Sequence, residues 1–368
     1  MNILWITNYP SPYRVSFFNE LGRECSLSVV FENTVEQQGH RNKEWFNTNY
    51  NGFNAIFLRQ EGIRKKLKET QRIIALNKFD FIVLADFSTP VSILLSHWLR
   101  IKRRSYVISI DGAYFRNSNV VKDIVKRTVI KNAQFLFSSS DTSDQYLIHY
   151  GAKKENIYRY NFTSLCNKDL LTKPISADEK MAIRTKLGMN SRLSALLVSR
   201  FVYIKGIDFV LKNAKHFEKS VDFYIAGDKP TDEYIKIVND NKLTNVHFIG
   251  FKKKEELKEY YMASDIFVFP TRYDPWGLVV NEAMAYGLPI LSTDKSSAAM
   301  HFIKNGYNGY VYPVDNQSEF LKCLENLCDN QNKLREMGNI NFSIIKDYTI
   351  EVMAQQHKEV FEGYMVKK

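Results

Sequence analysis

Residues 198–206 read Val-Ser-Arg-Phe-Val-Tyr-Ile-Lys-Gly, which puts two cations, Arg200 and Lys205, in one short stretch. An apolar run ends at Ser199, so both cations fall in the loop before the next helical segment. Loops at the carboxyl ends of strands line the binding crevice of parallel α/β folds. A helix start there adds free N–H groups and the positive end of a dipole, so such a pair suits a diphosphate. Solvated surface charge is the structural alternative, and the pair alone does not decide between them.

A second stretch, 271–289, reads Thr-Arg-Tyr-Asp-Pro-Trp-Gly-Leu-Val-Val-Asn-Glu-Ala-Met-Ala-Tyr-Gly-Leu-Pro and follows another apolar run. Asp274 lies in its loop, Gly277 permits a close backbone approach, and Glu282 falls in the first turns of the following helix. The amides of Gly277 and Leu278 can bind a phosphate or sugar oxygen. Carboxylates accept hydrogen bonds from vicinal hydroxyls, which suits Asp274 to a sugar and Glu282 to a ribose. A turn-forming Asp and a helix-start Glu are the alternatives. In the first half, Asp111-Gly112 ends an apolar run, where it serves either a crevice or a turn. His149, His247 and His301 are scattered without metal spacing, and His301 reads as a surface residue. There is no Asp-x-Asp triplet. Cys25, Cys166, Cys323 and Cys328 form no Cys-x-x-Cys pair, which argues against a zinc site and a disulfide framework.

Short apolar runs at 2–7, 27–31, 79–85, 105–110 and 133–138 read as strands. Pro10 and Pro12 read as a turn, and helical stretches follow at 14–22, 64–76, 91–102, 118–131 and 142–149. The rhythm breaks over 162–190, read as an interdomain connection with a charged helix ending near Gly188. It restarts with strands at 194–198, 222–226, 246–249, 266–270 and 289–292, and with helices at 206–215, 231–241, 254–263 and 279–286. Strands alternating with helices predict doubly wound parallel sheets, buried on both faces. Two successive sets predict two Rossmann-like α/β domains facing a cleft.

The stretch 194–315 resembles the donor-binding half of family 4 retaining glycosyltransferases of the GT-B fold. The pieces occur in order: Ser-Arg…Lys-Gly at 199–206, Ile-Ala-Gly-Asp at 225–228, Val-His-Phe-Ile-Gly-Phe at 246–251 and Ala-Ser-Asp-Ile-Phe-Val-Phe-Pro-Thr-Arg at 263–272. The acid-x7-Glu element from Asp274 to Glu282 follows, then Glu-Ala-Met-Ala-Tyr-Gly-Leu-Pro at 282–289 and Asn-Gly-Tyr-Asn-Gly-Tyr-Val-Tyr-Pro at 305–313. The resemblance implies an acceptor-binding domain over 1–165, a nucleotide-sugar donor domain over 166–348, and a C-terminal helix, 349–368, that crosses back to the first. It implies that Arg200 and Lys205 neutralise the leaving diphosphate, and that Glu282 holds the ribose. Asp274 with the amides of Gly277 and Leu278 would meet the sugar, and Phe251 and Lys252 would flank the base. Asp111 stands where many members carry a His facing the sugar. Arg14 stands where a glycine-rich loop is common, and would supply a cation in its place. The family's first acid is usually Glu, longer by one methylene than Asp274. Transfer with retention and without a bound metal or other cofactor is implied, with a nucleoside-diphosphate sugar as co-substrate and UDP favoured over GDP.

The bulk properties fit. Hydrophobic residues make up 45% and charged residues 25% of 368, which excludes wholesale disorder. No apolar run is long enough to span a bilayer, and the N-terminus lacks the pattern of a signal peptide, so a cytoplasmic location is expected. Residues 1–170 hold 24 Lys+Arg against 15 Asp+Glu, a net of +9, and the remainder holds 27 against 25, a net of +2. A basic first half suits an anionic partner: an acceptor on a lipid diphosphate, or the anionic inner face of a membrane. No nucleic-acid-binding motif accompanies the charge. A non-catalytic sugar-nucleotide or glycan-binding module and a sugar-nucleotide epimerase on the same fold are the rival readings.

Overall fold

A computed structural model describes residues 1–34, 49–59, 61–85, 87–113 and 119–366. Ser118 of the expected helix 118–131 and the last two residues of 349–368 lie outside them. The chain divides into two compact units, Met1–Asn167 with Tyr348–Lys368, and Lys168–Asp347.

The first unit holds seven parallel strands: β1 (Asn2–Thr7), β2 (Ser26–Phe31), β3 (Asn54–Phe57), β4 (Phe81–Leu84), β5 (Val107–Ser109), β6 (Leu136–Ser138) and β7 (Ile157–Arg159). They run in the order β3-β2-β1-β4-β5-β6-β7, so the order reverses beside β1. The helices are α1 (Pro12–Glu24), α2 (Ile63–Leu76), α3 (Pro90–Ile101), α4 (Val120–Lys131) and α5 (Asp141–His149). Pro12 is the first residue of α1 rather than part of a turn: its fixed φ and missing N–H suit that position, with extended Ser11 before it. Thr89, Asn119 and Ser140 cap α3, α4 and α5 by accepting from the amides of Ser92, Lys122 and Ser143. The edge strands β3 and β7 were not expected. Both are short and only partly buried, Asn-Ala-Ile-Phe and Ile-Tyr-Arg, and polar residues flank each of them closely.

The second unit holds six parallel strands: β8 (Leu193–Val198), β9 (Val221–Ala226), β10 (Val246–Gly250), β11 (Ile266–Phe269), β12 (Ile290–Thr293) and β13 (Gly309–Tyr312). Their order is β10-β9-β8-β11-β12-β13, with the reversal between β8 and β11. The helices are α6 (Ala177–Leu187), α7 (Ile207–Asn213), α8 (Asp232–Asp240), α9 (Lys254–Ala263), α10 (Leu278–Ala285), α11 (Ser297–Phe302), α12 (Gln317–Cys328) and α13 (Gln331–Ile345). The expected helix 206–215 ends early and continues as a 3-10 turn, Ala214–Phe217. Ser176 and Glu179 form a capping box at the start of α6, and left-handed Gly188 ends it. Buried Arg184 on α6 pairs with Asp265 just before β11.

The C-terminal helix, Ile350–Val366, packs on the first unit. Buried Phe361 meets Phe81, Phe135 and Phe137, and Tyr364 stacks on Phe135 at 4.2 Å. His357 sits among the rings of Trp5, Phe17, Phe137 and Tyr160. Its Nδ1–H donates to the Met353 carbonyl at 2.7 Å, and its Nε2 is buried without a partner. Burial pushes its pKa from the usual 6.5 to about 4. The unfolded chain therefore binds a proton between these values that the folded chain refuses. The stability this gives is complete above 6.5 and is lost as pH falls towards 4, by about 3 kcal/mol. Denaturant titrations between about pH 7 and pH 4.5 should show this loss, and His357→Phe should flatten it.

Candidate active site

In the second unit, the loops after β8 and β11 leave the sheet on either side of the strand-order reversal, where a crevice opens outside the carboxyl ends of the strands. They carry Lys205 and Asp274, and the Lys205 Nζ donates to Asp274 Oδ2 at 2.6 Å. Both side chains are largely buried, at 16% and 19% exposure. Asp274 also accepts from the Trp276 amide through Oδ1 at 3.1 Å, so it forms the turn and holds the cation at once.

Backbone contacts fix the two loops against each other. Gly206 follows Lys205 at φ +69°, and a Cβ there would stand 2.0 Å from the Pro270 carbonyl oxygen. The Ile204 carbonyl accepts from the Arg272 amide at 2.8 Å and from Thr271 Oγ1 at 3.1 Å. The Asp274 amide donates to the Lys295 carbonyl at 2.9 Å. Gly277 takes φ +99° immediately before α10, where a Cβ would meet Phe269 at 2.8 Å and Ser296 Oγ at 2.9 Å. The amides of Leu278 and Val279 open α10, where the helix itself offers them no acceptor, while the Val280 amide donates back to the Gly277 carbonyl at 2.8 Å.

Glu282, on α10, accepts from the Tyr261 hydroxyl at 3.1 Å. Burial, reinforced by the Glu282 charge, pushes the Tyr261 phenol well above its usual range, so it stays a donor. Arg200 is exposed in the loop after β8, and no carboxylate among the described residues pairs with it. Phe251 and Lys252 follow β10, at the outer edge of the sheet, with the Lys252 ammonium 5.8 Å over the Tyr260 ring. His301 is half-buried against Trp276 rather than on the surface. Among the described residues no cluster of His, Cys, Asp or Glu could hold a metal ion.

The first unit has its own polar cluster at the carboxyl end of its sheet. Asp111, just past β5, accepts on Oδ2 from Tyr13 Oη at 2.7 Å, Arg14 Nη2 at 2.9 Å and Arg14 Nε at 3.1 Å. The Tyr160 hydroxyl lies 3.1 Å from Oδ1 and 2.9 Å from the Ile110 carbonyl, one donor between two acceptors. Arg14 also bonds Thr7 Oγ1. Burial first, then the Asp111 charge, raises the Tyr160 phenol well above its ordinary value. Arg14 is thus held by a carboxylate. Tyr13, Tyr160, Tyr261 and Arg272 carry these networks and had no role in the sequence reading. Arg272 was visible in Thr-Arg-Tyr-Asp, but the tyrosines sit among 21 in the chain with no spacing that marks them.

Residues 180–342 match the family described as Glycosyl transferases group 1. An uncharacterized glycosyltransferase of Methanocaldococcus jannaschii is 27% identical over 280 residues, covering 72% of this chain and 69% of that protein. The match to this glycosyltransferase family lies in the second unit. Sucrose-phosphate synthase from Thermosynechococcus elongatus superposes with a TM-score of 0.80 at 16% identity, over 100% of both chains. Anabaena HepE in complex with UDP-glucose superposes with a TM-score of 0.75 at 15% identity, over 99% of this chain and 100% of that one. At such identities the superpositions establish the fold, which is GT-B. Gly206→Ala should destabilise its second unit by about 1–3 kcal/mol, since the added carbon needs both a left-handed backbone and the space of a carbonyl. Denaturant titration monitored by tryptophan fluorescence measures the loss.

Proposed function

We propose that the enzyme transfers a hexosyl group from a nucleoside-diphosphate sugar, a UDP-sugar by preference, to a glycan or lipid-linked acceptor with retention and without a metal. The observation that carries this reading is the Lys205–Asp274 contact across the strand-order reversal, beside the free amides that open α10. Lys205, Arg200 and those amides supply positive charge where a diphosphate leaves. Asp274 and the Gly277–Leu278 amides hold the sugar, Glu282 the ribose, and Phe251 and Lys252 the base. Asp111 is the first unit's proposed catalytic group, with Arg14 held against it. The UDP-glucose complex of HepE, a protein of the same fold, supports the donor class. The chemistry needs stabilisation of the leaving group and positioning more than a strong base, and attack on the face from which the diphosphate departs accounts for retention. The test is a panel of UDP- and GDP-sugars with nucleotide release as readout. Release should persist in excess EDTA, and Lys205→Ala or Arg200→Ala should each cost about 2–4 kcal/mol of transition-state stabilisation. Normal turnover by both variants would place the diphosphate elsewhere.

The acceptor side is proposed to meet an anionic membrane face. No helix among the described residues is long and apolar enough to cross a membrane. On the first unit, however, α4 exposes Val120 (73%), Val121 and Ile124, and the neighbouring α3 exposes Ile101 (78%). Exposed Arg100, Lys102, Arg103, Lys122, Arg127 and Lys131 accompany them. Because strands and helices alternate in direction, α4 begins at the sheet end that carries Asp111. Ile101 ends α3 at the opposite end of the sheet, so the exposed apolar side chains and cations are spread along the length of the two helices; such a face fits an interface with anionic headgroups, each cation contributing about 1 kcal/mol. Of the cations in segments 59–72 and 98–104, Lys66 and Arg104 are engaged internally, Lys66 with Asn33 Oδ1 at 2.7 Å and Arg104 with the Ile74 carbonyl at 2.9 Å. The charge-reversal set is therefore Lys102, Arg103, Lys122 and Arg127. The wild type should sediment with anionic but not neutral vesicles, more weakly at high salt, and the Glu variants should lose this binding. Equal, negligible binding to both vesicle types would favour a soluble acceptor.

A further inference from the structure

Arg272 lies in the loop after β11 and has no part in the binding roles above. Its Nη1 donates to the Tyr203 carbonyl at 2.6 Å and to Asp208 Oδ1 at 2.7 Å, and its Nη2 to Asp208 Oδ2 at 3.0 Å. Its Nε donates to Asp315 Oδ2 at 2.9 Å. The guanidinium sits 3.9 Å over the ring of Tyr203, which is itself 71% exposed. Its own amide holds the Ile204 carbonyl. One residue therefore grips the two carbonyls that precede Lys205, the first turn of α7 through Asp208, and the loop after β13 through Asp315. Asp208 is nearly buried, yet the bonds from Arg272 and the charge of Lys212 hold its carboxyl below the usual range against the effect of burial.

The turn it grips, Tyr203–Lys205, is a single 3-10 turn with no buried residue: Tyr203 and Ile204 within it and Val202 before it are exposed. Without the guanidinium, the turn would keep its internal backbone bonds, and the opposite loop would hold it through the Arg272 amide and Thr271 bonds to Ile204 and the Lys205–Asp274 contact. We infer that Arg272 is a positioning residue: by fixing the 203–205 turn it sets where the Lys205 ammonium stands, an inference that rests on reading Lys205 as a diphosphate ligand. Lysine cannot replace it, because a point charge cannot bond Asp208 in two places, reach the Tyr203 carbonyl and stack on its ring together.

The experiment is a binding cycle with two probes, UDP by titration calorimetry and uridine, which lacks the diphosphate, by ligand-observed NMR. The variants are Lys205→Ala, Arg272→Gln, Arg272→Lys and the double variant Lys205→Ala with Arg272→Gln. Arg272→Gln should weaken UDP about tenfold, leave uridine unchanged, and gain no rescue from Arg272→Lys. The double variant should bind UDP no worse than Lys205→Ala alone, because residues acting through one contact are not additive. If Arg272→Gln fails to fold, Arg272→Gln with Asp208→Asn removes the pair without stranding a buried carboxylate, and it enters the same cycle. Losses that multiply in the double variant, an equal loss of uridine affinity, or unchanged UDP affinity in Arg272→Gln would each overturn the positioning role. If Lys205→Ala binds UDP as the wild type does, or the wild type binds none, the diphosphate reading itself fails instead.

Discussion

The half-buried pair of Lys205 and Asp274 is the contact on which the second unit's chemistry is organised. Taking two charges partly out of water is costly, and their attraction repays the cost only when geometry is good and other bonds support each group. Here the supports are mostly backbone. Gly206 lets the chain press against Pro270, the Ile204 carbonyl accepts twice from the opposite loop, and the Asp274 amide is held by Lys295. Those bonds exist because β8 and β11 are neighbours and parallel, so their carboxyl ends deliver two loops to one place. On the proposed reading, a cation whose loop is fixed in this way changes only its ammonium's partner when an anion arrives, so that the loop itself need not reorganise.

The same sheet plan gives the first unit a different result. Its carboxyl-end cluster is built on Asp111, with Arg14 and Tyr13 from the start of α1 closing on one carboxylate oxygen. Pro12 starts α1 immediately before them, so the helix begins where its second and third residues can reach across to the end of β5. The C-terminal helix completes the packing beneath. His357, Tyr160, Phe137 and Trp5 share one aromatic region, so the polar cluster above stands on a rigid floor.

How much of this was legible in the sequence follows the physics of each element. The central strands were plain because a strand buried on both faces must be apolar along its whole length, as in Val221–Ala226, where only Asp222 breaks the run. Edge strands such as Asn54–Phe57 escape, since one side meets no neighbour and the residues need not be apolar. Pro12 was read as a turn because proline is common in both places, and only the capping geometry separates them. The loop residues Lys205, Asp274 and Gly277 were legible because loops after strands carry function and their residue types are distinctive. The partner networks were not. Nothing in the spacing of Arg14 and Asp111, or of Tyr261 and Glu282, announces a contact between residues so far apart in the chain. Arg272 stood in plain view in Thr-Arg-Tyr-Asp but was given no role.

The ion pairs also explain why the two halves differ in net charge. In the second unit Arg184, Arg192, Arg272 and Lys205 each face a carboxylate, respectively Asp265, Asp222, Asp208 and Asp274. Such pairing keeps the unit's charge near balance and leaves Arg200 as the exposed cation of the candidate site. On the proposed reading, a diphosphate entering there meets one unpaired cation and one whose partner it must share. Lys205 can turn from Asp274 to the phosphate without leaving water-poor surroundings, because it exchanges one oxygen anion for another. Asp274 then loses an ammonium and is left to accept from sugar hydroxyls, the role for which a carboxylate in that place is suited. On that same reading, binding the leaving group and binding the sugar would be coupled through a single exchange of partners, and the rigidity of the 203–205 turn would decide how far the ammonium can follow the phosphate as the glycosidic bond lengthens.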